Sequence, residues 1–343
     1  MPAKKPKTRT EPETLLEAIA YFGDADRAHE FMVALRFPNG PFCPRMGCGS
    51  LNVGFIATRR MWQCRDCKKQ SSLKVGTIFE DSPIGWDKWL PAMWMIGGDR
   101  NGISSHELGR AVGVTQKTAW FMLHRIRLAM KNKSIEKPFT GEVEADETFV
   151  GGKARLTRNQ YGRMVQRHGP ATDKVVVFGI AERGEPSQVR ARVVPDYKAR
   201  TLVPIIYDNV TPGSSIYTDA LRTYRTLGSD YQHAFVDHMV RYVEGIVHTN
   251  TIENFWSCLK RTIHGTYICP RTFHMEAYVD EQAWRFNNRQ MPDGARIEIA
   301  LEGIEGRRLT YKALTGSHPR WRLKPGRAAR SPLFTPQGSS PQA

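Results

Sequence analysis

The sequence predicts a multidomain protein of mixed α+β and α/β class: a helical, cysteine-bearing N-terminal half, then a mixed-sheet domain. Three observations carry this. At 343 residues the chain is about twice an ordinary single domain. Four of its six cysteines fall as two close pairs within one turn-rich stretch. After Lys137-Pro138 the apolar period changes from helical to alternating.

Composition narrows the class further. A hydrophobic fraction of 40% with 10% aromatics sustains a packed core and excludes a disordered or collagen-like chain. Six cysteines are too few for a disulfide scaffold. No uninterrupted apolar run reaches the roughly 18 residues of a spanning helix. The basic start, Met1 to Lys7, lacks the apolar stretch of a signal peptide, so a cytoplasmic, reducing setting and no membrane partner are expected. Lys plus Arg number 50 against 34 acids, a net +16, which points to a polyanionic partner, nucleic acid before anionic membrane.

Residues 1–13 read as a solvated basic arm and 14–40 as a short helical segment. Within it Leu15, Leu16, Ile19 and Ala20, then Ala28, Phe31, Met32 and Leu35, recur at helical spacing, with Asp24 as the second N-cap. Residues 41–75 read as a zinc ribbon: Cys43 with Cys48, and Cys64 with Cys67, flank a β-forming stretch through Val53–Ile56 and Met61-Trp62. Four thiolates so spaced suit one tetrahedral Zn²⁺, whose binding supplies folding energy that so small a unit lacks. Isolated core thiols or a redox pair are the alternatives; Cys258 and Cys269 read as core thiols. Arg45, Arg59, Arg60, Arg65, Lys68, Lys69 and Lys74 make the ribbon basic, either as a DNA contact or as a solvated face.

Residues 76–135 contain the grammar of a helix-turn-helix. Ser104 or Ser105 caps a short helix with Leu108 and Val112 inward, Gly113 turns the chain, and Thr115 caps the next helix. Ala119, Leu123 and Ile126 form its inward stripe. Gln116, Lys117, His124, Arg125 and Arg127 are the expected DNA-facing residues, Gln116 and Lys117 standing where this motif reads base edges. Trp120 shares the face of Gln116, His124 and Arg127, but a Trp is more often core than a DNA contact, and a plain helical hairpin is the alternative for the whole segment.

Residues 138–290 carry the chemistry. Strands are expected over Glu142–Val150, Val175–Glu182, Val189–Val194 and Ser215–Thr218, and helices over Ala199–Val210, 250–262 and 274–286. Alternation sets Glu142, Glu144 and Asp146 on one strand face, and Asp219 ends a later strand. Glu253 and Lys260, seven apart, face one side of a helix. Isolated acids at strand ends are ordinarily solvated or ion-paired. Three that converge repel unless cations offset them, and all-oxygen ligands favour Mg²⁺ or Mn²⁺. Residues 291–343 read as a flexible basic extension, with eight Lys/Arg and no acid from Arg307 onward.

The order of these motifs resembles the zinc-ribbon DDE transposases of prokaryotic insertion sequences, over about residues 25–290. It is carried by the four-cysteine ribbon, the helix-turn-helix, Glu144-Ala145-Asp146-Glu147-Thr148-Phe149, Tyr217-Thr218-Asp219 and His248-Thr249-Asn250-Thr251-Ile252-Glu253-Asn254-Phe255-Trp256 through Lys260. The resemblance implies an RNase H-like sheet with Asp146 on its first strand, Asp219 on its fourth and Glu253 on a late helix. These three would hold the catalytic metal, with Lys260 on a phosphate or the bound DNA end; Asn250 or Asn254 is the alternative third ligand. Lys153, Arg155 and Arg158 resemble a basic loop that follows DNA, a disordered surface loop being the other reading. The implied activity is DNA strand cleavage and transfer at element ends into target DNA, by at least a dimer. A DNA-binding regulator on an inactivated scaffold and an RNase H-like nuclease are the rival readings. Glu142, Glu144, Glu147 and Asp208 receive no role.

Overall fold

The computed structural model describes residues 12–316 except 46, 132–136, 152–155, 159–163, 167–173, 220–223, 225, 226, 228, 229, 237–247 and 269. Helices α1 (Leu15–Phe22) and α2 (Ala25–Arg36) open the chain. A capping box between Thr14 and Glu17 starts the first, and the Asp24 carboxylate, accepting from Asp26 and Arg27 amides, starts the second. The sequence located α1 but not its inward face. Ala18 and Phe22 are buried, whereas Leu15, Leu16 and Ile19 are exposed.

Strands β1 (Val53–Ile56), β2 (Met61–Cys64) and β3 (Gln70–Ser71) form an antiparallel sheet in that order. Helices α3 (Trp86–Gly98), α4 (Ser105–Val112) and α5 (Gln116–Met130) follow. Ser104 caps α4 reciprocally with Glu107, and Thr115 caps α5. Gly113 ends α4 at φ 64°, a left-handed turn that glycine makes without a Cβ penalty.

The second sheet contains β4 (Glu142–Val150), β7 (Val175–Glu182), β8 (Gln188–Val194), β9 (Ser215–Asp219) and β10 (Gln232–Val236). A small hairpin, β5 (Leu156–Arg158) with β6 (Met164–Gln166), lies between β4 and β7 in the chain. The spatial order is β10-β9-β4-β7-β8, with β7 antiparallel to both neighbours and β4, β9 and β10 parallel. That is the RNase H-like arrangement: a three-strand meander extended by two parallel strands beyond its first.

Helix α6 (Ala199–Asn209) covers one face, packing Leu202 and Ile206 with Val143, Ala145, Phe178 and Ile180. Helices α7 (Asn250–Thr262) and α8 (Met275–Asn287) cover the other. The stripe Ile252, Phe255, Trp256, Leu259 and Ile263 seats α7 there. Each such side chain contributes about 1.5–3 kcal/mol on burial, well above the sub-kcal propensity differences along the helix.

Helix α9 (Asp293–Glu302) corrects the expected extension. Its Ile297, Ala300 and Leu301, with Ile304 and Trp284, join the core of α1, α2, α3 and α5, as do Trp62 and Leu73 of the ribbon segment. Arg307 donates to the carbonyls of Leu128, Ala129 and Lys131, and Arg308 pairs with Glu80 and Asp81. The chain to Leu309 is one compact unit. Thr310 onward is a second, in which Thr310 caps the short α10 (Tyr311–Leu314). Among the described residues no helix is long and apolar enough to cross a membrane.

Candidate active site

Register decides which acids share a face. Strand β4 pairs with β7 so that Glu144 lies opposite Ala181 and Asp146 opposite Gly179. On its other edge Glu144 lies opposite Tyr217 of the parallel β9, with Asp146 and Asp219 each two residues further along their own strands. The period of two then turns Glu144, Asp146, Tyr217 and Asp219 toward α7 and leaves Val143, Ala145 and Glu147 toward α6.

Helix α7 reaches this row because β7 has no side chain beneath it at Gly179. A Cβ there would stand 2.6 Å from the Trp256 ring and 2.8 Å from Ile252. Seated so closely, Trp256 donates its indole N–H to the Asp146 carboxylate at 2.8 Å. We expect Gly179→Ala to push α7 off the sheet and cost about 1–3 kcal/mol, measured by denaturant unfolding. An unchanged midpoint would show that the helix relaxes freely.

Glu253 and Lys260 both lie on the exposed side of α7. Thr249 donates to the Glu253 carboxylate at 2.7 Å. Burial, then the nearby charges of Asp219 and Glu253, lifts the Asp146 carboxyl to about 6 against the Trp256 hydrogen bond. The three acids are thus electrostatic neighbours. Among the described residues, however, only the four thiols bring three or more such ligand atoms within 4.8 Å of one another. Asp146, Asp219 and Glu253 all offer carboxylate oxygen, the donor type that a hard divalent cation such as Mg²⁺ or Mn²⁺ takes.

Two acids left without a role have one. Glu147, on the α6 face, accepts from the buried Tyr224 hydroxyl at 2.5 Å. Burial and the charges of Asp146 and Asp219 lift it to about 7. Glu144 is fully buried: it accepts from Arg183 Nε at 2.7 Å and from the Ile252 amide at 2.9 Å. Neither serves as a neutral control for mutation, and Glu142 pairs with Arg183 and Tyr217. Exposed Asp208 keeps that use. The signal for Glu144 was its position two residues before Asp146 on one face, but Arg183 was invisible to spacing.

The ribbon thiols converge as expected. Cys43 and Cys67 sulfurs stand 3.7 Å apart, as do those of Cys48 and Cys64. A tetrahedral site with Zn–S near 2.3 Å has sulfur–sulfur edges of about 3.8 Å, so the four fit Zn²⁺. Backbone amides of Cys67, then Asp66, hold the Cys64 thiol down to about 6, favouring the thiolate that a metal binds.

The helix-turn-helix residues divide. Gln116 and Lys117, at the start of α5, are exposed, Gln116 donating to Ser105 at 2.8 Å. His124, Arg125 and Arg127 are 3%, 5% and 2% exposed, which corrects their expected DNA-facing place. Their face of α5 meets later chain. His124 packs edge-on to Tyr278, and Arg127 pairs with Glu281 at 2.5 Å, both partners being on α8. Arg125 instead lies over Phe121, 4.3 Å from the ring centre. Glu281 also accepts from Arg285 and Tyr267. Arg127→Met, which strips one partner from a buried carboxylate, should cost about 3–5 kcal/mol in unfolding experiments. Exposed Lys117→Ala should stay within about 0.5 kcal/mol of the parent. Lys153 and Arg155 lie outside the described residues, and Arg158 is described only as the last residue of β5.

A four-thiol ribbon and an RNase H-like mixed sheet carrying Glu144, Asp146 and Asp219 on one face together define a transposase architecture. Residues 138–287 match the ISXO2-like transposase domain, and residues 23–70 the transposase zinc-ribbon domain. The chain is 28% identical over 260 residues to an uncharacterized protein in transposable element ISH50 of Halobacterium salinarum, covering 71% of this chain and 84% of that one. It is 36% identical over 115 residues to an uncharacterized transposase-like protein of Haemophilus influenzae, covering 33% of this chain and 91% of that one. A solved pre-cleavage Mos1 transpososome is similar at 11% identity and TM-score 0.24, over 62% of this chain and 78% of that one. The chain belongs to the ISXO2-like transposase family.

Proposed function

We propose that this transposase cuts one DNA strand at the ends of its element and joins the exposed 3′-OH to target DNA. One observation supports the reading most: Asp146, Asp219 and Glu253 come from two strands and a helix, yet the charges of the last two raise the carboxyl of the first. Bound at these carboxylates, two divalent ions would activate the attacking oxygen and stabilise the leaving one. Asp146 is oriented by the Trp256 indole and Glu253 by the Thr249 hydroxyl. In the first step a water oxygen attacks phosphorus, and the bond to the 3′ oxygen breaks to leave a 3′-OH. In the second, that hydroxyl attacks a target phosphodiester and displaces the target's own 3′ oxygen.

Lys260, two turns along α7 from Glu253, contacts a phosphate of the bound end. DNA is held by the N-terminal turn of α5, with Gln116 and Lys117, and by the basic ribbon around its Zn²⁺. At least two copies hold paired ends. Incubation with end DNA, target DNA and Mg²⁺ or Mn²⁺, followed by sequencing of the products, tests the reading. Joined strands are the expected result. Cut strands without joining would reduce the protein to a nuclease, and bound but intact DNA to a binding protein.

A further inference from the structure

The Arg183 guanidinium sits where the three acid-bearing elements meet. Its Nε donates to the buried Glu144 carboxylate at 2.7 Å, and Nη1 stands 3.5 Å from Glu142, both on β4. The guanidinium lies over the Tyr217 ring of β9, 4.1 Å from its centre. Its Nη2 meets His248 at the carbonyl, 2.5 Å, and at Nδ1, 3.0 Å, just ahead of α7. The second oxygen of Glu144 accepts the Ile252 amide in the first turn of α7, at 2.9 Å, where the helix dipole favours a negative charge. Three of these contacts end within two residues of an acid. Glu144 is two residues before Asp146, Tyr217 two before Asp219, and Ile252 one before Glu253.

We infer that Glu144 and Arg183 form a clamp that registers β4, β9 and α7 on one another and so sets the affinity of the carboxylate site for its divalent ions. The clamp rests on the metal-binding reading proposed above; Glu144 and Arg183 are positioning residues and touch neither metal nor DNA. The physical case is directional. Strand pairing brings Glu144 level with Tyr217, two residues before Asp146 and Asp219, and the Glu144 carboxylate ties the first turn of α7 to β4 through the Ile252 amide. An aliphatic pair would pack there without fixing helix height or rotation, whereas two directed hydrogen bonds and a planar fork fix both.

The test reads Mn²⁺ binding directly, by calorimetry or electron paramagnetic resonance on the full, zinc-loaded protein, with Asp146→Asn as the reference for non-site binding. Glu144→Gln keeps an oxygen for the Ile252 amide but loses the charge facing Arg183. Arg183→Lys keeps the charge but loses the fork. Tyr217→Leu leaves both in place and removes the ring together with its hydroxyl bond to Glu142, so it serves if either charge variant fails to fold. We expect Mn²⁺ affinity to fall about 10- to 100-fold in the two clamp variants, as outer-shell changes do, and severalfold in Tyr217→Leu. Zinc content and end-DNA binding should stay at parent levels. High Mn²⁺ should partly restore cutting, a shift in the metal requirement that simple loss of stability does not produce. Unchanged Mn²⁺ affinity in the folded variants overturns the clamp while the metal site stands. A parent protein that binds no more Mn²⁺ than Asp146→Asn overturns the metal reading and the clamp with it.

Discussion

Alanine at Asp146, Asp219 or Glu253 is expected to lower strand cutting by roughly 10³-fold or more, with end-DNA binding near the parent level. The three losses are similar and do not add, because residues that hold one catalytic unit fail together. Binding is spared because the DNA contacts proposed for the ribbon and α5 lie on other elements. Asp208→Ala is the matched control, being an exposed acid of the same domain. If Glu253→Ala cuts normally while an Asn250 or Asn254 change does not, the third ligand is the amide and the reaction class survives. Full activity in all three acid variants removes the catalytic reading.

The same site predicts a pH dependence whose sign follows from the raised carboxyl of Asp146. Metal binding needs the ionised form, so cutting weakens as pH falls through about 6 instead of about 4. In the metal-free protein the lift works against folding. The cost is absent below pH ~4, grows between about 4 and 6, and is complete above 6, up to about 3 kcal/mol from the shift. Asp146→Asn should therefore stabilise the metal-free protein at neutral pH, and that gain should vanish in acid. A gain that persists below pH ~4 would point to packing and not to charge.

The second large effect is expected at the thiols. Serine at Cys43, Cys48, Cys64 or Cys67 should remove one zinc per chain, as metal analysis of the purified protein will show. In zinc-finger peptides this binding is worth about 10–16 kcal/mol, most of which serves as folding energy. The consequence spreads beyond the ribbon, because Trp62 and Leu73 are packed in the same core as Met32, Trp89 and Leu301. Loss of several kcal/mol there should lower the thermal midpoint by roughly 10 °C in a unit of this size. Stoichiometric zinc in a serine variant would remove the ribbon metal. Loss of zinc with an unchanged midpoint would make the ribbon a separate, uncoupled module.

Local pattern made much of the molecule legible. The alternation of Glu142 to Val150 yields β4 to the residue, and the thiol spacing yields the ribbon. Asp24, Ser104 and Thr115 cap their helices because a short polar side chain there meets amides that have no helical partner. The family's motif order was equally visible, since it depends on residue type and spacing alone.

Residue order alone thus located the ribbon thiols, the acids of β4 and most helices and strands up to residue 290, but not β5, β6, β10 or α9. Which side chains face water was decided only by the tertiary structure. His124 and Arg127 are polar and were read as outward, but α8, more than a hundred residues later, buries them with Glu281. Leu15, Leu16 and Ile19 are apolar and helically spaced, yet the core takes Ala18 and Phe22. Residues 291–343 read as a flexible basic extension, although Ile297, Leu301 and Arg307 close the N-terminal core. Glu144 showed only its place on the Asp146 face and Arg183 showed nothing, because a buried ion pair is a long-range coincidence of separate elements. Caps and periods act over a few residues and can be read in order; burial and ion pairing depend on what the rest of the chain brings to the same place.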